Sequence, residues 1–499
     1  MRLLTAKECN EWDQILQEKL HLSGELLMES VAGQMAVLLK NFALKKKIHS
    51  FRILCGPGNN GADGLALARL LLSMDFKVEC FASEQGKTSK LFEEQKNRFQ
   101  SLNGKIHGFE SFKKFPLQEA PAILVDALFG VGFRGELESP FKEVVQRANQ
   151  GAGIPVALDV PSGLNVDSGV ASGEVFRAQY TLTVGTSKPG FYTADGPTCC
   201  GKIKVISSSF HKDLMPKSSS KFFLKQKEDV KNLLPEKGPR SHKGSIGKLH
   251  LVVGSKKYLG AAKLVVDAAL SAGASYLYVY GDSLQVELLK DAPEIIFRSS
   301  VDFDPSKWDQ RDAAVIGPGV SDVKALEQML QKLKQSGTQK VLLDAGAFQV
   351  LKSGFSKVPD SWILTPHPGE LGDLLETSAK HVEQNRFQSV LKAQGQFGGQ
   401  ILLKGFLPLL ATSSLEVWSL PFGDQRLGKA GSGDALAGLV GGLMVQMDSV
   451  SDAMALGVYL HARSAELQTK GVHPSSLQSS KISNFIGCAM KELESKSQV

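Results

Sequence analysis

FRILCGPGNNGADGLALARLLLSM, residues 51–74, changes its hydrophobic period halfway along. Phe51 to Gly56 reads as a buried strand, and Leu65 to Met74 as a helix with apolar residues at helical intervals. Between them Gly56, Gly58 and Gly61 form GxGxxG, the spacing of a dinucleotide-binding strand–turn–helix unit. The residues filling the gaps argue the other way. Asp63 stands at the helix entrance, where a pyrophosphate would sit, and like charges there oppose binding. No Lys-Ser or Lys-Thr follows, so this is not a Walker A loop. Glu79, in the next strand candidate FKVECFA, could in principle bind a ribose.

Outward from that unit the alternation continues. Upstream, residues 5–43 carry apolar positions at helical intervals, among them Leu16, Leu27, Val31, Met35 and Leu39, with a break near Ser23 and Gly24 that predicts two helices. Downstream come a polar helix from Lys90 to Leu102, a strand from Pro121 to Gly130, a helix from Phe141 to Asn149 and a strand from Ile154 to Gly163. A last strand, YTLTVG, leads into TSKPGFYT. Strands and helices taking turns imply right-handed crossovers and a parallel sheet, whose ligands gather beyond the carboxyl ends of the strands. Asn59, Asn60, Asp63, Asp126, Asp159, Ser162 and Lys188 all fall at predicted strand ends, so one cleft would collect them. Any one of these Asp residues alone reads better as a helix cap or loop residue; the repetition points to a site. Their amide, carboxylate and hydroxyl oxygens are hard ligands that suit a group-one or group-two cation.

At 499 residues the chain exceeds one ordinary core, domains running to roughly 100–200 residues each. Apolar residues at 42% and charged residues at 22% are the proportions of a soluble globular protein. A net charge of +7, from 58 basic and 51 acidic residues, is too small and too dispersed for a nucleic-acid partner. Six cysteines without framework spacing read as reduced thiols in a cytoplasmic protein. MRLLTAKECNEWDQ has no apolar signal region, and no window approaches the length of a membrane span.

NNGADG, VDALFGVGFRG, LDVPSGLNVDSG and TVGTSKPG, in that order, resemble the N-terminal domain of the NAD(P)H-hydrate epimerase family over residues 1 to about 214. The resemblance implies a Rossmann-like α/β fold, epimerisation of hydrated NADH or NADPH at C6, and a bound potassium ion. By motif, Asn60, Asp126 and Ser162 would hold the potassium. Asn59, Asn60, Gly61, Ala62, Asp63, the loop Gly130, Val131, Gly132, Phe133, Arg134, Gly135 and Glu136, and Asp159 would hold the hydrated nicotinamide nucleotide. Asp159 or Lys188 is expected to handle the protons. The family loop is usually NNGGDG, and Ala62 replaces the second glycine, which requires negative φ there.

Between Ser207 and Ser245 the strand pattern stops and serine, lysine and proline concentrate, which places a boundary near Lys212 to Lys221. After it KGSIGKLHLVVGS, YLYVYG, RDAAVIGPG, KVLLDAGAF, WILTPHPGE and QILLKG are β-rich runs, several separated by helices such as Lys324 to Leu333 and Asn385 to Gln394. A second α/β sheet follows. Its most telling stretch is GKAGSGDALAG, residues 428–438: glycines and a serine precede an apolar helical run, so backbone amides at a helix start can face an anion with Asp434 inside the first turn. The plain alternative is a glycine loop capped by Ser432. Lys404 and Gly405 close a strand and can reach a phosphate, His367 sits in a proline-bounded turn, and Asp434 can accept a hydroxyl proton.

The series KGSIG, GSKKYLGAA, IGPG, LTPHPGE, LLKG and AGSGDALAG is similar to the ADP-dependent NAD(P)H-hydrate dehydratase family, with a ribokinase-like fold, over residues 222–495. That similarity implies Gly319, His367 and Asp434 at the hydrated nucleotide. It implies Lys404, Gly405, Phe406, Leu407, Pro408, Asp424, Gly428, Lys429, Ala430, Gly431, Ser432 and Gly433 at ADP, with Mg2+ accompanying the ADP. GPGVS and DAGAFQ depart from the usual GPGLG and DADALN at Val320, Ser321, Gly346 and Phe348. The expectation is therefore a two-domain, cytoplasmic, homo-oligomeric repair enzyme that epimerises the hydrates and dehydrates the S form at the expense of ADP. The alternative is a ribokinase-like ATP-dependent small-molecule kinase with a non-catalytic N-terminal binding module.

Overall fold

The computed structural model describes residues 1–83, 87–116, 121–207, 209–217, 221–235, 246–281, 287, 289–290 and 292–495. Lys243, Gly244 and Ser245 of the KGSIG motif, and residues 236–242 of the linker, lie outside the described residues. The chain divides into two compact units, Arg2–Phe222 and Phe223–Val499, with Met1 counted in the second.

The first unit is built on seven strands: β1 (Ser50–Cys55), β2 (Lys77–Ala82), β3 (Lys105–Gly108), β4 (Ile123–Ala127), β5 (Ile154–Leu158), β6 (Tyr180–Val184) and β7 (Lys202–Ile206). Their order is β3-β2-β1-β4-β5-β6-β7, and every pairing is parallel. Such a sheet must be covered on both faces, and β1 shows it. Phe51, Ile53 and Cys55 enter a cluster with Val31 and Met35 of helix Gly24–Lys46 and Leu65 of helix Asn59–Leu72. Leu54 enters another with Phe112 and Val144. The order reverses between β1 and β4, which opens a crevice at their carboxyl ends.

The predicted helix at Leu65 starts earlier, at Asn59, so NNGAD is helical rather than loop. Two glycines of the GxGxxG spacing explain this. A Cβ on Gly56 would lie 1.8 Å from the Leu128 carbonyl oxygen, and one on Gly61 would lie 1.8 Å from the Gly56 carbonyl oxygen. They permit backbone to pack on backbone at the strand–helix corner, whereas Gly58 faces open space. Edge strands β3 and β7, which lack a clear sequence signal, are half-exposed, so their residues alternate with charge instead of forming an apolar run.

The second unit carries β8 (Phe222–Leu224, all but its first residue), β9 (Leu249–Val252), β10 (Leu277–Gly281), β11 (Ile295–Ser299), β12 (Ala313–Ile316), β13 (Lys340–Leu343), β14 (Val358–Leu364), β15 (Gly398–Leu403), β16 (Leu409–Ala411) and β17 (Val417–Ser419). The order is β11-β10-β9-β12-β13-β14-β15-β16-β17-β8. It is parallel from β11 to β15, then antiparallel through β16 and β17. The short strand β8 falls inside the serine- and lysine-rich stretch where the sequence pattern predicts none. Helix Ser432–Met444 packs on helix Leu259–Ser271, where Gly438 brings the backbones so close that a Cβ would lie 2.1 Å from the Val265 carbonyl oxygen. Both units are α/β, as expected. No single helix among the described residues is long and apolar enough to cross a membrane.

Candidate active sites

In the first unit the crevice draws together loops that follow β1, β4, β5 and β6. Asp159 leaves β5 in a left-handed conformation, φ 60°, which Asp tolerates better than most residues. Its Oδ1 accepts hydrogen bonds from Lys188 Nζ at 2.7 Å, Val184 N at 3.1 Å and Thr183 Oγ1 at 3.3 Å. Its Oδ2 turns toward Gly130, where a Cβ would come within 3.2 Å of it and 3.5 Å of Asn60. Glycine at 130 therefore lets Asn60, Asp159 and the third loop meet. Lys188 is only 1% exposed. Its ammonium also donates to Thr183 Oγ1 at 2.6 Å and the Val184 carbonyl at 2.8 Å, so all three protons are committed.

Asp126, wholly buried at the end of β4, accepts from Ser162 Oγ at 2.7 Å, Ser162 N at 2.8 Å and Leu128 N at 3.1 Å. Burial pushes its carboxyl up to about 6 even though the Ser162 hydrogen bonds pull the other way. Among the described residues it has no cationic partner, and the buried Asn60 Nδ2 has no hydrogen-bond partner.

A cavity of about 140 Å³ lies in this unit, walled in part by Asn59, Asp63, Val184, Phe210 and Asp13. Asp63 is raised well above the usual carboxylate range by burial, with Asp159 and Asp13 adding repulsion. Ala62 lies in helical backbone with its methyl fully buried in the core, so the negative φ it needed is met and its side chain faces away from the crevice. In the loop 130–136, Gly132, Arg134, Gly135 and Glu136 are exposed, while Val131 and Phe133 are half-buried. The Arg134 guanidinium binds its own loop, donating to the carbonyls of Val131 and Phe133 at 3.0 and 2.7 Å.

In the second unit Lys404 ends β15 and points its ammonium at Asp344 Oδ1, 2.8 Å away, with Glu370 Oε2 at 3.8 Å. Burial works against its charge, but Asp344 and then Glu370 outweigh burial and raise its pKa. Asp434 sits in the first turn of helix Ser432–Met444 and is pushed up to about 6, first by burial and then by Asp344, with Lys404 opposing. Gly433 faces the same cluster: a Cβ there would make ordinary contact with Lys404 Nζ at 3.5 Å and Asp344 Oδ2 at 4.0 Å. Gly431, φ 83°, leads into the helix, and no side chain caps it. Ser432 Oγ donates instead to the Leu427 carbonyl at 2.6 Å and Ser432 N to the Lys429 carbonyl at 3.2 Å, so the reading of Ser432 as the cap is corrected and the amides of Gly433 and Asp434 are the ones that can face an anion.

A cavity of about 430 Å³ opens beside this cluster, within the range of small-molecule sites. Its lining brings together the predicted His367, Lys404, Gly405, Phe406, Pro408, Asp424, Gly428, Lys429, Ser432 and Gly433. Leu407, Ala430, Gly431 and Asp434 stand outside that lining, Asp434 one residue beyond Gly433, and Gly319 packs elsewhere, against Ala261 and Tyr258. His367 caps helix Pro368–Leu374 reciprocally: its Nδ1 accepts from Gly369 N and Glu370 N at 3.1 and 3.2 Å, and Glu370 Oε2 accepts from His367 N at 2.8 Å. Both donors on Nδ1 put the neutral ring's proton on Nε2. Asp424 is held by Arg426, and Lys429 Nζ donates to the carbonyls of Ser475 and Leu477. The sequence departures also fit locally. Gly346 is required because a Cβ would lie 2.2 Å from the Val320 carbonyl oxygen, and Phe348 is buried.

Sequence reasoning missed Asp344, Glu370, Arg386 and His461. Arg386, buried, donates to the carbonyls of Lys404 and Leu407 at 3.2 and 3.0 Å and so fixes the loop that carries the lysine. His461 lines the cavity, and burial lowers its pKa to about 4, so it is neutral near pH 7. Asp344 had a signal, since KVLLD ends a strand as the other site residues do. Arg386 and His461 lie within helices and had none.

A doubly wound domain, followed by one in which a lysine and three carboxylates stand beside an uncapped helix start and a ligand-sized cavity, defines a two-domain α/β enzyme with group-transfer chemistry in its second half. Comparison with known proteins makes the class specific. Residues 24–190 match the family described as YjeF-related protein N-terminus, and residues 249–486 match NAD(P)H-hydrate dehydratase. The bifunctional NAD(P)H-hydrate repair enzyme of Coxiella burnetii is 33% identical over 422 residues, 83% of this chain and 84% of that protein. The enzyme of that name from Escherichia coli is 30% identical over 83% of this chain and 80% of its own length. The chain belongs to the family of bifunctional NAD(P)H-hydrate repair enzymes. Among solved structures, the ADP/ATP-dependent NAD(P)H-hydrate dehydratase of Bacillus subtilis, co-crystallised with ATP/Mg2+, is 26% identical and covers 56% of this chain and 100% of its own, with a TM-score of 0.49.

Proposed function

We propose that the chain repairs hydrated NADH and NADPH, its first unit interconverting the R and S hydrates at C6 and its second dehydrating the S form while ADP becomes AMP and phosphate. The observation that carries this reading is the Lys404–Asp344–Glu370–Asp434 cluster at an uncapped helix start beside the 430 Å³ cavity. Asp434 as carboxylate takes the proton of the C6 hydroxyl, and the oxygen attacks the β-phosphorus of ADP. Lys404 and the helix amides face the charge that grows on the transferring group. A hydroxyl is a poor leaving group and a phosphate a good one. Loss of phosphate from C6, with a proton from C5, restores the ring double bond.

Mg2+ suits Asp344 and Glu370, since one or two carboxylates plus phosphate oxygens are its ordinary set; bound there it would neutralise phosphate charge. Potassium suits the oxygens of Asp126, Ser162 and Asn60, where, among the described residues, a buried carboxylate lacks a cation. Replacing choline chloride by KCl should raise the melting temperature of the first unit by a few degrees, as binding at about ten times Kd stabilises by roughly 1.4 kcal/mol. Asp126→Asn should remove that response. The reading extends to a cytoplasmic homo-oligomer, the second point being checked by sedimentation of the purified chain.

The test mixes the chain with hydrated NADH and ADP. Return of the reduced-nicotinamide absorbance together with AMP is expected. A stable phosphoester formed from ATP and an alcohol, with no NADH returned, would sink the reading in favour of a small-molecule kinase.

A further inference from the structure

The epimerisation needs two proton-handling groups, and Lys188 is poorly placed to be one. C6 of the hydrated ring bears a hydroxyl and is bonded to the ring nitrogen, so inverting it means breaking a bond at C6 and remaking it on the other face. The hydroxyl must be protonated as it leaves, and the incoming water must lose a proton. Lys188 holds its three protons on Asp159, Thr183 and the Val184 carbonyl, deep in the core. Asp159 has its Oδ1 filled, while its Oδ2 accepts no hydrogen bond among the described residues and faces Gly130.

One carboxylate on the cavity wall was not anticipated from the sequence. Asp13 belongs to helix Ala6–Leu20, ahead of the stretch matched to the YjeF-related family. It lines the 140 Å³ cavity with Asn59 and Asp63, and among the described residues its carboxyl makes no hydrogen bond or ion pair. The groups that act on it are Asp63 from helix Asn59–Leu72, Asp159 from the turn after β5, Lys188 from the turn after β6 and Cys9 from its own helix. Around one committed lysine, three carboxylates cannot all stay ionised beside a phosphate-bearing substrate.

We propose that Asp13 is the catalytic acid–base partner of Asp159 in the epimerisation, touching the C6 hydroxyl of the hydrated nicotinamide. Neutral Asp13 gives its proton to the hydroxyl as the C6–O bond breaks and the nitrogen lone pair forms C=N. Water leaves. A water molecule then adds to the other face of C6, its proton passing to the Asp159 carboxylate while the π pair returns to nitrogen. In the opposite direction the two exchange roles, and solvent resets the pair. Burial, with repulsion from Asp159, pushes Asp13 up to about 6, so it exchanges a proton near neutrality, whereas the more strongly raised Asp63 keeps its own.

The inference rests on the epimerase reading, and the experiment separates the two. Pure R hydrate is given to the full-length chain without ADP, and the R to S ratio is followed by chromatography with the spontaneous rate subtracted. Wild type that fails to epimerise overturns the epimerase reading itself. With wild type active, Asp13→Asn should lower kcat about 10²–10⁴-fold with little change in KM. It should also lose the wild-type pH limb near 6, and Asp13→Glu should restore part of the rate. Dehydration of S hydrate with ADP by the same preparations reports that each chain is intact. Asp13→Asn activity within a few-fold of wild type overturns the proposal, and so does a slower enzyme that keeps the pH limb.

Discussion

Asp434→Asn is expected to reduce ADP-dependent dehydration by about 10²–10⁴-fold while ADP binding changes little, the usual cost of deleting a positioned general base. The amide matches the carboxylate in size, so the packing of the helix start beside Lys404 survives. What disappears is the acceptor. The pH profile gives an independent reading. Asp434 is pushed up to about 6, and a base must be ionised to act, so kcat/KM in the wild type should fall as pH drops through about 6 and level off above it. The Asp434→Asn variant should lack that limb. Single-turnover kinetics with calorimetry of ADP binding checks both parts, and unchanged turnover would rule out the general-base role.

Lys188→Met is the second large effect, and it is expected in stability as much as in activity. Removing one partner of a buried ion pair costs roughly 3–5 kcal/mol, because the remaining charge is left unpaired. Here Asp159 loses its ammonium donor, and Asp13 loses the opposing charge that Lys188 supplies. The variant should melt well below wild type in the transition of the first unit, with dehydration in the second unit as internal control. A lysine that served only to shuttle protons would give a dead enzyme with an unchanged melting curve. Differential scanning calorimetry decides between them.

The fold was legible because its signals are local. The period change across residues 51–74 marks a strand and a helix directly, and the repeat of that pattern marks a parallel sheet. The corner between them was not. Asn59 is the first helical residue only because Gly56 and Gly61 allow backbone contact, a fact of close packing that no periodicity carries. The candidate site was legible where a residue ends a strand: Asp126, Asp159, Lys404 and His367 were singled out that way. Asp13, Arg386 and His461 act from helices at long sequence distance from their partners, on faces set by packing, and a lone polar residue in a helix carries no mark of what it faces.

The crowded glycines of helix Ser432–Met444 bear on protein engineering. Exchanging helix glycines for alanine is a standard route to heat tolerance, worth roughly 0.5–1 kcal/mol per site. At the glycines in the body of this helix the route is closed, since a methyl at Gly441 would lie 2.6 Å from Val315 Cγ2 and one at Gly442 would lie 2.7 Å from the Ala269 carbonyl oxygen. Such a change would displace the segment that carries Asp434. Gly33 and Gly487, in helices Gly24–Lys46 and Ser483–Ser495, have nothing within 4 Å of the added carbon. A thermostable form of this catalyst is better sought at those two positions, far along the chain from the base.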